Sequence, residues 1–339
     1  MSAAETPAVT PERILQMMWG YAPPIILATA ARHRIFDVLE KGPKTAAEIA
    51  SLTGTNERGV RSVVNALVGL QFLAKHGKDR YGLTPESASF LVSGKPGYLG
   101  IMMQHVGRDL VPHWLELPDA VQHGRPVRPF NQEKEGAEFF EQLVVGLFAL
   151  SHTAAQMVGK ALSVGSAQRP LKILDIGAGS GVWGIGIAQQ SPGSTITAVD
   201  WPNVLEVTKR FAAEHGMADR FSYISGDMSK VDFGAGHDVA ILGHILHSEG
   251  EQNSRELLKK IANALAPGGR IAIAEFLVND DRTGPPMGLF FAINMLVNTD
   301  DGDTFSFEEI SQWLAEAGFT NPRKIEPGGP ASVIVAQRA

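Results

Sequence analysis

Residues 171 to 181 read L-K-I-L-D-I-G-A-G-S-G, and this run limits the possible folds more than any other part of the chain. Leu171, Ile173, Leu174 and Ile176 suit a buried strand. Glycines 177, 179 and 181 then let the backbone reverse sharply, and a helix can begin at Val182. A strand that runs straight into a glycine turn and a helix opens a parallel α/β sheet. The rhythm that follows agrees with this. β-rich runs at 195–200, 221–225, 238–242, 270–276, 323–325 and 332–336 alternate with helical stretches. With 172–176 they make seven strands, so we expect a doubly wound α/β sheet whose ligand sits at the carboxyl ends of the strands.

The chain ahead of residue 170 has a different period. Residues 12 to 40 carry apolar side chains at helical spacing, and Pro23-Pro24 is expected to break or kink the helix. Thr45 and Glu48 have capping-box spacing, Thr53-Gly54-Thr55 reads as a tight turn, and a second helix runs on to Phe72. Phe72-Leu73 and Tyr81-Gly82-Leu83 bracket a polar turn, which completes the pattern of a winged helix. From Ser87 to about residue 165 the period is helical, with loops at 94–97 and 123–129. Three regions result: 1–100, 101–165 and 166–339.

A chain of 339 residues with 44% hydrophobic content can bury at least one full-sized core, and two domains are expected. Its 30 Lys and Arg are scattered and the net charge is -6, so no nucleic-acid partner is expected. The lack of cysteine excludes disulfides, thiolate metal sites and a cysteine nucleophile, and no metal cofactor is expected. The first residues, MSAAETPAVTPER, lack the apolar core of a signal, and no uncharged run is expected to reach the roughly 18 residues that a membrane span needs. The expectation is a cytoplasmic protein with no membrane partner.

The glycine turn alone fits two ligand classes, because Gly179, Gly181 and Gly184 also satisfy the dinucleotide pattern G-x-G-x-x-G. Acids at three successive strand ends narrow the choice. Asp175, two residues before Gly177, would repel a pyrophosphate but suits the sulfonium and ammonium of S-adenosylmethionine. Asp200 ends T-I-T-A-V-D, where a carboxylate accepts ribose hydroxyls, a feature that NAD enzymes share. Gly226-Asp227-Met228 places a carboxylate beside an adenine amine and a thioether against the ring. Together with Gly177, Gly179, Gly181, Trp201, Gly243 and His244, these residues form the expected cofactor-binding set.

At this point the sequence resembles the class I S-adenosylmethionine-dependent small-molecule O-methyltransferases of the caffeic-acid, phenazine and acetylserotonin type. The resemblance spans nearly the whole chain. It rests on I-L-D-I-G-A-G-S-G at 173–181, A-D-R-F-S-Y-I-S-G-D-M at 218–228, I-L-G-H-I-L-H at 241–247, A-L-A-P-G-G-R-I at 264–271 and E-A-G-F at 316–319. It implies a winged-helix dimerisation domain at 1–100, a helical substrate lid at 101–165, a Rossmann-like methyltransferase domain at 166–339, and a homodimer. It also implies that His247 is the general base and that Glu275 holds it, with His244 a strand-end histidine nearby. Three positions depart from the family pattern. The acidic-aromatic pair after the base is Ser248-Glu249, a second glutamate falls near Thr304 with Asp303 the nearest carboxylate, and a lysine of plant members is Gly243.

The apolar helical stretch 287–298 is expected to line the acceptor pocket through Phe290, Asn294 and Met295, the last matching a substrate-clamping methionine of the family. Trp19, Met103, His105 and Phe140 are candidates to close that pocket. The expected reaction is methyl transfer to a hydroxyl of a small, planar, aromatic or polyketide-like acceptor. Two other readings stay open. One is a DNA-binding regulator, although Arg58 and Arg61 are the only cations in the second winged-helix helix. The other is a relative that keeps the cofactor but hydroxylates or decarboxylates.

Overall fold

The computed structural model describes residues 9–129, 133–328 and 331–339, and the side chains of 133–142 fall outside the description. Two compact units make up the chain, Met1–Val111 and Pro112–Ala339.

In the first unit, Pro23 and Pro24 start a helix instead of breaking one. The opening helix Glu12–Met17 has ended before them, and they occupy the first turn of Ala22–Arg32, where a missing N–H costs little. Thr45 caps the helix Ala46–Thr53 reciprocally with Glu48, and Gly54 ends that helix in the left-handed conformation. Asn56 caps the next helix, Glu57–Gly69. Strands β1 (Lys44–Thr45), β2 (Leu73–His76) and β3 (Arg80–Leu83) form an antiparallel sheet in the order β1-β3-β2. Ile35, Phe36, Leu39, Ile49, Val64 and Leu67 fill the core beneath it, so a winged helix is present.

One expectation for this unit is corrected. Residues 14 to 31 carry no charge, and Glu12–Arg32 is long and apolar enough to cross a membrane by length and composition. The tight turn between the two short helices hides this run from a search for a single helical period, and Ala28, Ala30 and Ala31 are buried.

The second unit holds β4 (Lys172–Ile176), β5 (Thr195–Asp200), β6 (Phe221–Ser225), β7 (His237–Gly243), β8 (Leu265–Glu275), β9 (Phe319–Ile325) and β10 (Ser332–Arg338) in one seven-stranded sheet. Their order is β6-β5-β4-β7-β8-β10-β9. The first five strands run parallel, whereas β10 lies antiparallel to both β8 and β9. The sheet is thus mixed, because the short connection from β9 to β10 has no room for a crossover helix. Side chains alternate between two faces. Leu174 and Ile176 pack with Leu258, Ile261 and Trp313 on one side, and Ile173 packs with Val158 and Ile185 on the other. Helices therefore cover both faces, and the carboxyl ends of β4 to β8 lie along one edge, where Asp175, Asp200, Gly243 and Glu275 end or nearly end their strands.

Candidate active site

The glycine turn after β4 takes positive φ at all three glycines: 62° at Gly177, 57° at Gly179 and 73° at Gly181. A Cβ at Gly177 would also lie 2.2 Å from Ile245 Cδ1, so the loop needs glycine for both conformation and space. Two acids flank the turn. Asp175 is buried, and its Oδ2 accepts the Gly184 N–H at 2.8 Å. Its Oδ1 is buried with no partner in the protein, and burial pushes the carboxyl up to about 7, with Asp200 adding to the rise against the Gly184 bond. Asp200 accepts the Gly179 N–H at 2.8 Å and the Trp201 N–H at 2.7 Å, and burial still pushes it up to about 6. One carboxylate thereby fastens the glycine turn of β4 to the end of β5.

After β6, Gly226 donates to the Asp200 carbonyl at 3.0 Å. Asp227 is engaged locally: Oδ1 accepts from the Ser229 amide and hydroxyl at 2.9 and 2.6 Å, and Oδ2 pairs with Lys230 at 2.7 Å. Burial opposes ionisation there, but these bonds hold Asp227 below the ordinary carboxylate range. Met228 packs half-buried against the core beside Val231.

The parallel pairing of β7 with β8 sets Gly243 opposite Ala274, which brings the residues just beyond β7 next to Glu275. His247, 8% exposed, donates from Nδ1 to Glu275 Oε2 at 2.7 Å, and its backbone N–H reaches Oε1 at 3.3 Å. Burial pushes Glu275 upward, but the charge of His247 and its hydrogen bonds hold the carboxyl below its usual range. Thr304 and Asp303 supply no second clamp on the ring. The Thr304 hydroxyl donates to the Gly288 carbonyl at 3.2 Å, and the Asp303 carboxylate accepts the Thr304 N–H at 2.7 Å. Phe291 instead meets the His247 ring edge-on at 4.8 Å and packs 4.2 Å from Phe276. Ser248 donates its hydroxyl to the Ile245 carbonyl, and burial pushes Glu249 up to about 7.

His244 takes φ 65° immediately after β7, and its ring lies 6.2 Å from that of His247. Single ligand atoms of His244, His247 and Glu275 all lie within 4.8 Å of one another, close enough for a cation as well as for an organic group. Gly243 leaves no room for a side chain, because a Cβ there would meet Trp183 Nε1 at 2.1 Å.

On the helix Pro286–Leu296, Phe290 is 58% exposed and it is Phe291 that reaches His247; helical spacing alone did not separate the two. Met295 is buried. Asn294 Oδ1 accepts the Trp114 indole N–H at 3.0 Å and an Asn298 amide N–H at 3.2 Å. Neither Trp114 nor Trp183 carries a signal in the sequence. In the first unit, Trp19 is exposed and stacks on Tyr21, Met103 packs at the edge of the core, and His105 is buried against Asp109 at 2.8 Å. The side chain of Phe140 lies outside the description.

A mixed sheet of this order, with a glycine turn and acids along its carboxyl edge, defines a nucleoside-binding α/β enzyme. Comparison with known proteins gives the family. An O-methyltransferase domain matches residues 114–320, and an O-methyltransferase dimerisation domain matches residues 15–93. The 3-hydroxy-5-methyl-1-naphthoate 3-O-methyltransferase of Streptomyces sahachiroi is 31% identical over 91% of this chain and 90% of its own length. The structure of an O-methyltransferase assigned in Nostoc punctiforme PCC 73102 superposes with a TM-score of 0.89 at 29% identity, covering 98% of this chain and all of that one. PigF with SAH superposes with a TM-score of 0.84 at 26% identity over 97% of this chain and all of that one. The chain belongs to the O-methyltransferase family and is an S-adenosylmethionine-dependent enzyme with a dimerisation domain. Its winged helix is accordingly no evidence for a DNA-binding regulator, and Arg61 on that helix is already paired with Glu57 at 3.0 Å.

Proposed function

We propose that the protein methylates a hydroxyl of a small aromatic or polyketide-like metabolite, with His247 as general base. The observation that carries this reading is the buried 2.7 Å contact between His247 Nδ1 and Glu275 at the carboxyl edge of the sheet. A carboxylate on Nδ1 keeps the proton there and leaves Nε2 as the basic nitrogen. S-Adenosylmethionine, when bound, supplies a methyl on a sulfonium that an acceptor oxygen can take directly. The residues present suit that group. Asp175 has an unpaired buried oxygen for a cation, and Asp200 keeps lone pairs for ribose hydroxyls after its two amide bonds. Asp227 retains a lone pair for the adenine amine, and the half-buried Met228 next to it offers a thioether suited to the adenine ring.

His247 Nε2 takes the hydroxyl proton, and the Glu275 carboxylate stabilises the imidazolium that forms. Phe276 and Phe291 give this end of the pocket aromatic walls, which favours a planar acceptor. The S. sahachiroi relative is itself named for a hydroxylated naphthoate. Incubating the purified protein with methyl-deuterated cofactor and a panel of small hydroxylated aromatics tests the reading. It expects a product with one labelled methyl on oxygen; label on nitrogen or carbon alone, or none on any acceptor, overturns it.

We assign residues 1–100 to dimerisation, 101–165 to covering the acceptor and 166–339 to methyl transfer, and infer a homodimer. Met17, Met18 and Trp19 are each more than 60% exposed, a run of large apolar side chains that favours a partner surface. Light scattering at micromolar concentration should give twice the chain mass, and Asp substitutions at Met17 and Met18 should shift it toward the single chain. A wild-type monomer contradicts the inference.

A further inference from the structure

His244, expected from the sequence to contact the cofactor, is a half-buried histidine to which the proposed proton transfer gives no role. Its backbone is left-handed at φ 65°, uncommon outside glycine, and its N–H donates to the Ala274 carbonyl at 2.9 Å, which pins it between β7 and β8. Strain of this kind survives where the surroundings over-determine it, and it concentrates at ligand sites. The ring is bordered by aromatic neighbours, Phe276 at 5.0 Å and Trp183 at 6.1 Å, with His247 at 6.2 Å. Gly243 permits this packing, since any side chain there would displace the Trp183 indole. Nδ1 of His244 is closed off from solvent without a hydrogen-bond partner. Burial lowers the ring's pKa to about 4, so at neutral pH it offers one donor and one acceptor and no charge. A half-turn about the Cβ–Cγ bond exchanges Nδ1 with Cδ2, so the ring edge that carries the unmet nitrogen is set by the partner it meets.

We propose that His244 hydrogen-bonds a second polar atom of the acceptor, on the ring carbon next to the reacting hydroxyl, and so selects acceptors with a vicinal hydroxyl or carbonyl. The geometry behind this is the spacing of the three groups. The His244 and His247 rings lie 6.2 Å apart centre to centre and both border Phe276, so a planar acceptor with one oxygen at His247 can turn the oxygen on its next ring carbon toward His244. A buried group that lacks its partner penalises an acceptor that cannot supply one, which is how a polar pocket discriminates. This inference rests on the reading of His247 as the base, and its test separates the two.

The measurement compares 2,3-dihydroxynaphthalene with 2-naphthol as acceptors for wild type, His244→Gly and His244→Asn. Glycine accepts φ 65° without strain but makes no side-chain hydrogen bond; asparagine tolerates the same backbone and retains one. In wild type kcat/KM should favour the diol by about 10-fold or more. In His244→Gly that ratio should fall to about 2 or less, while His244→Asn keeps a larger ratio than the glycine variant and the dissociation constant of S-adenosylmethionine does not change. His247→Gln should lower both acceptors and leave the ratio intact. The proposal is overturned if wild type has no preference or if His244→Gly keeps it. It is also overturned if that variant loses cofactor affinity with both acceptors falling together, which makes His244 a cofactor contact. Failure of both acceptors with wild type removes the aromatic-acceptor reading and this inference with it.

Discussion

His247→Gln lowers kcat by about 10² to 10⁴ on a weakly acidic hydroxyl while S-adenosylmethionine binds nearly as before. A phenol with a pKa of about 10 is mostly protonated at neutral pH, so its oxygen is a poor nucleophile until a base removes the proton. In the proposed mechanism His247 Nε2 does so, with Glu275 occupying Nδ1. Glutamine is the informative substitution: it keeps a polar side chain of similar reach without a basic nitrogen, whereas alanine would strand a buried carboxylate at a cost of about 3 to 5 kcal/mol and confuse catalysis with folding. Initial rates alongside calorimetric cofactor titration separate the two effects. A variant that binds cofactor much more weakly contradicts the division of labour proposed for the two halves of the site.

Asp200→Ala raises the dissociation constant of S-adenosylmethionine by about 10² to 10⁴, since two charge-assisted hydroxyl contacts are worth roughly 1.5 to 3 kcal/mol each. The loss includes a share from the turn itself, because Asp200 also holds the Gly179 and Trp201 amides. Unchanged affinity by calorimetry contradicts the role given to this acid. The same prediction has a pH arm. Burial pushes Asp200 up to about 6 and Asp175 up to about 7, above the 3.8 of a free aspartate. The empty fold therefore holds protons that the unfolded chain has released, and its stability declines as pH rises from about 4 through 7. A bound cation favours the ionised acids, so cofactor affinity should climb over the upper part of that window, with proton release visible as a buffer-dependent heat. In Asp200→Ala the climb should shrink to the part that Asp175 carries.

The features legible in the sequence are those fixed by neighbours along the chain. The Thr45–Glu48 capping box, the strand-to-glycine run at 171–181 and the alternation of strands and helices after residue 170 are local patterns, and the fold follows them. What stayed hidden depends on packing between distant segments. Phe290 and Phe291 are equally apolar in sequence, and only the packing of Phe291 on Phe276, just beyond β8, sets it against His247. Trp114 meets Asn294, and Trp183 covers Gly243, through contacts that no spacing announces. Two features could have been read earlier. Asp227, Ser229 and Lys230 have the spacing of a local turn that occupies the acid. Pro23-Pro24 suits a helix start as well as a helix break.

The most direct test of the account is the kcat of wild type and His247→Gln across a series of acceptors whose hydroxyl pKa falls from about 10 to well below neutral. A base that removes the proton predicts a wild-type advantage of about 10² to 10⁴ at the weakly acidic end, shrinking toward unity where the acceptor ionises unaided. A variant that keeps more than about a third of wild-type kcat on the weakly acidic acceptors contradicts the account, and leaves proximity alone to explain the transfer.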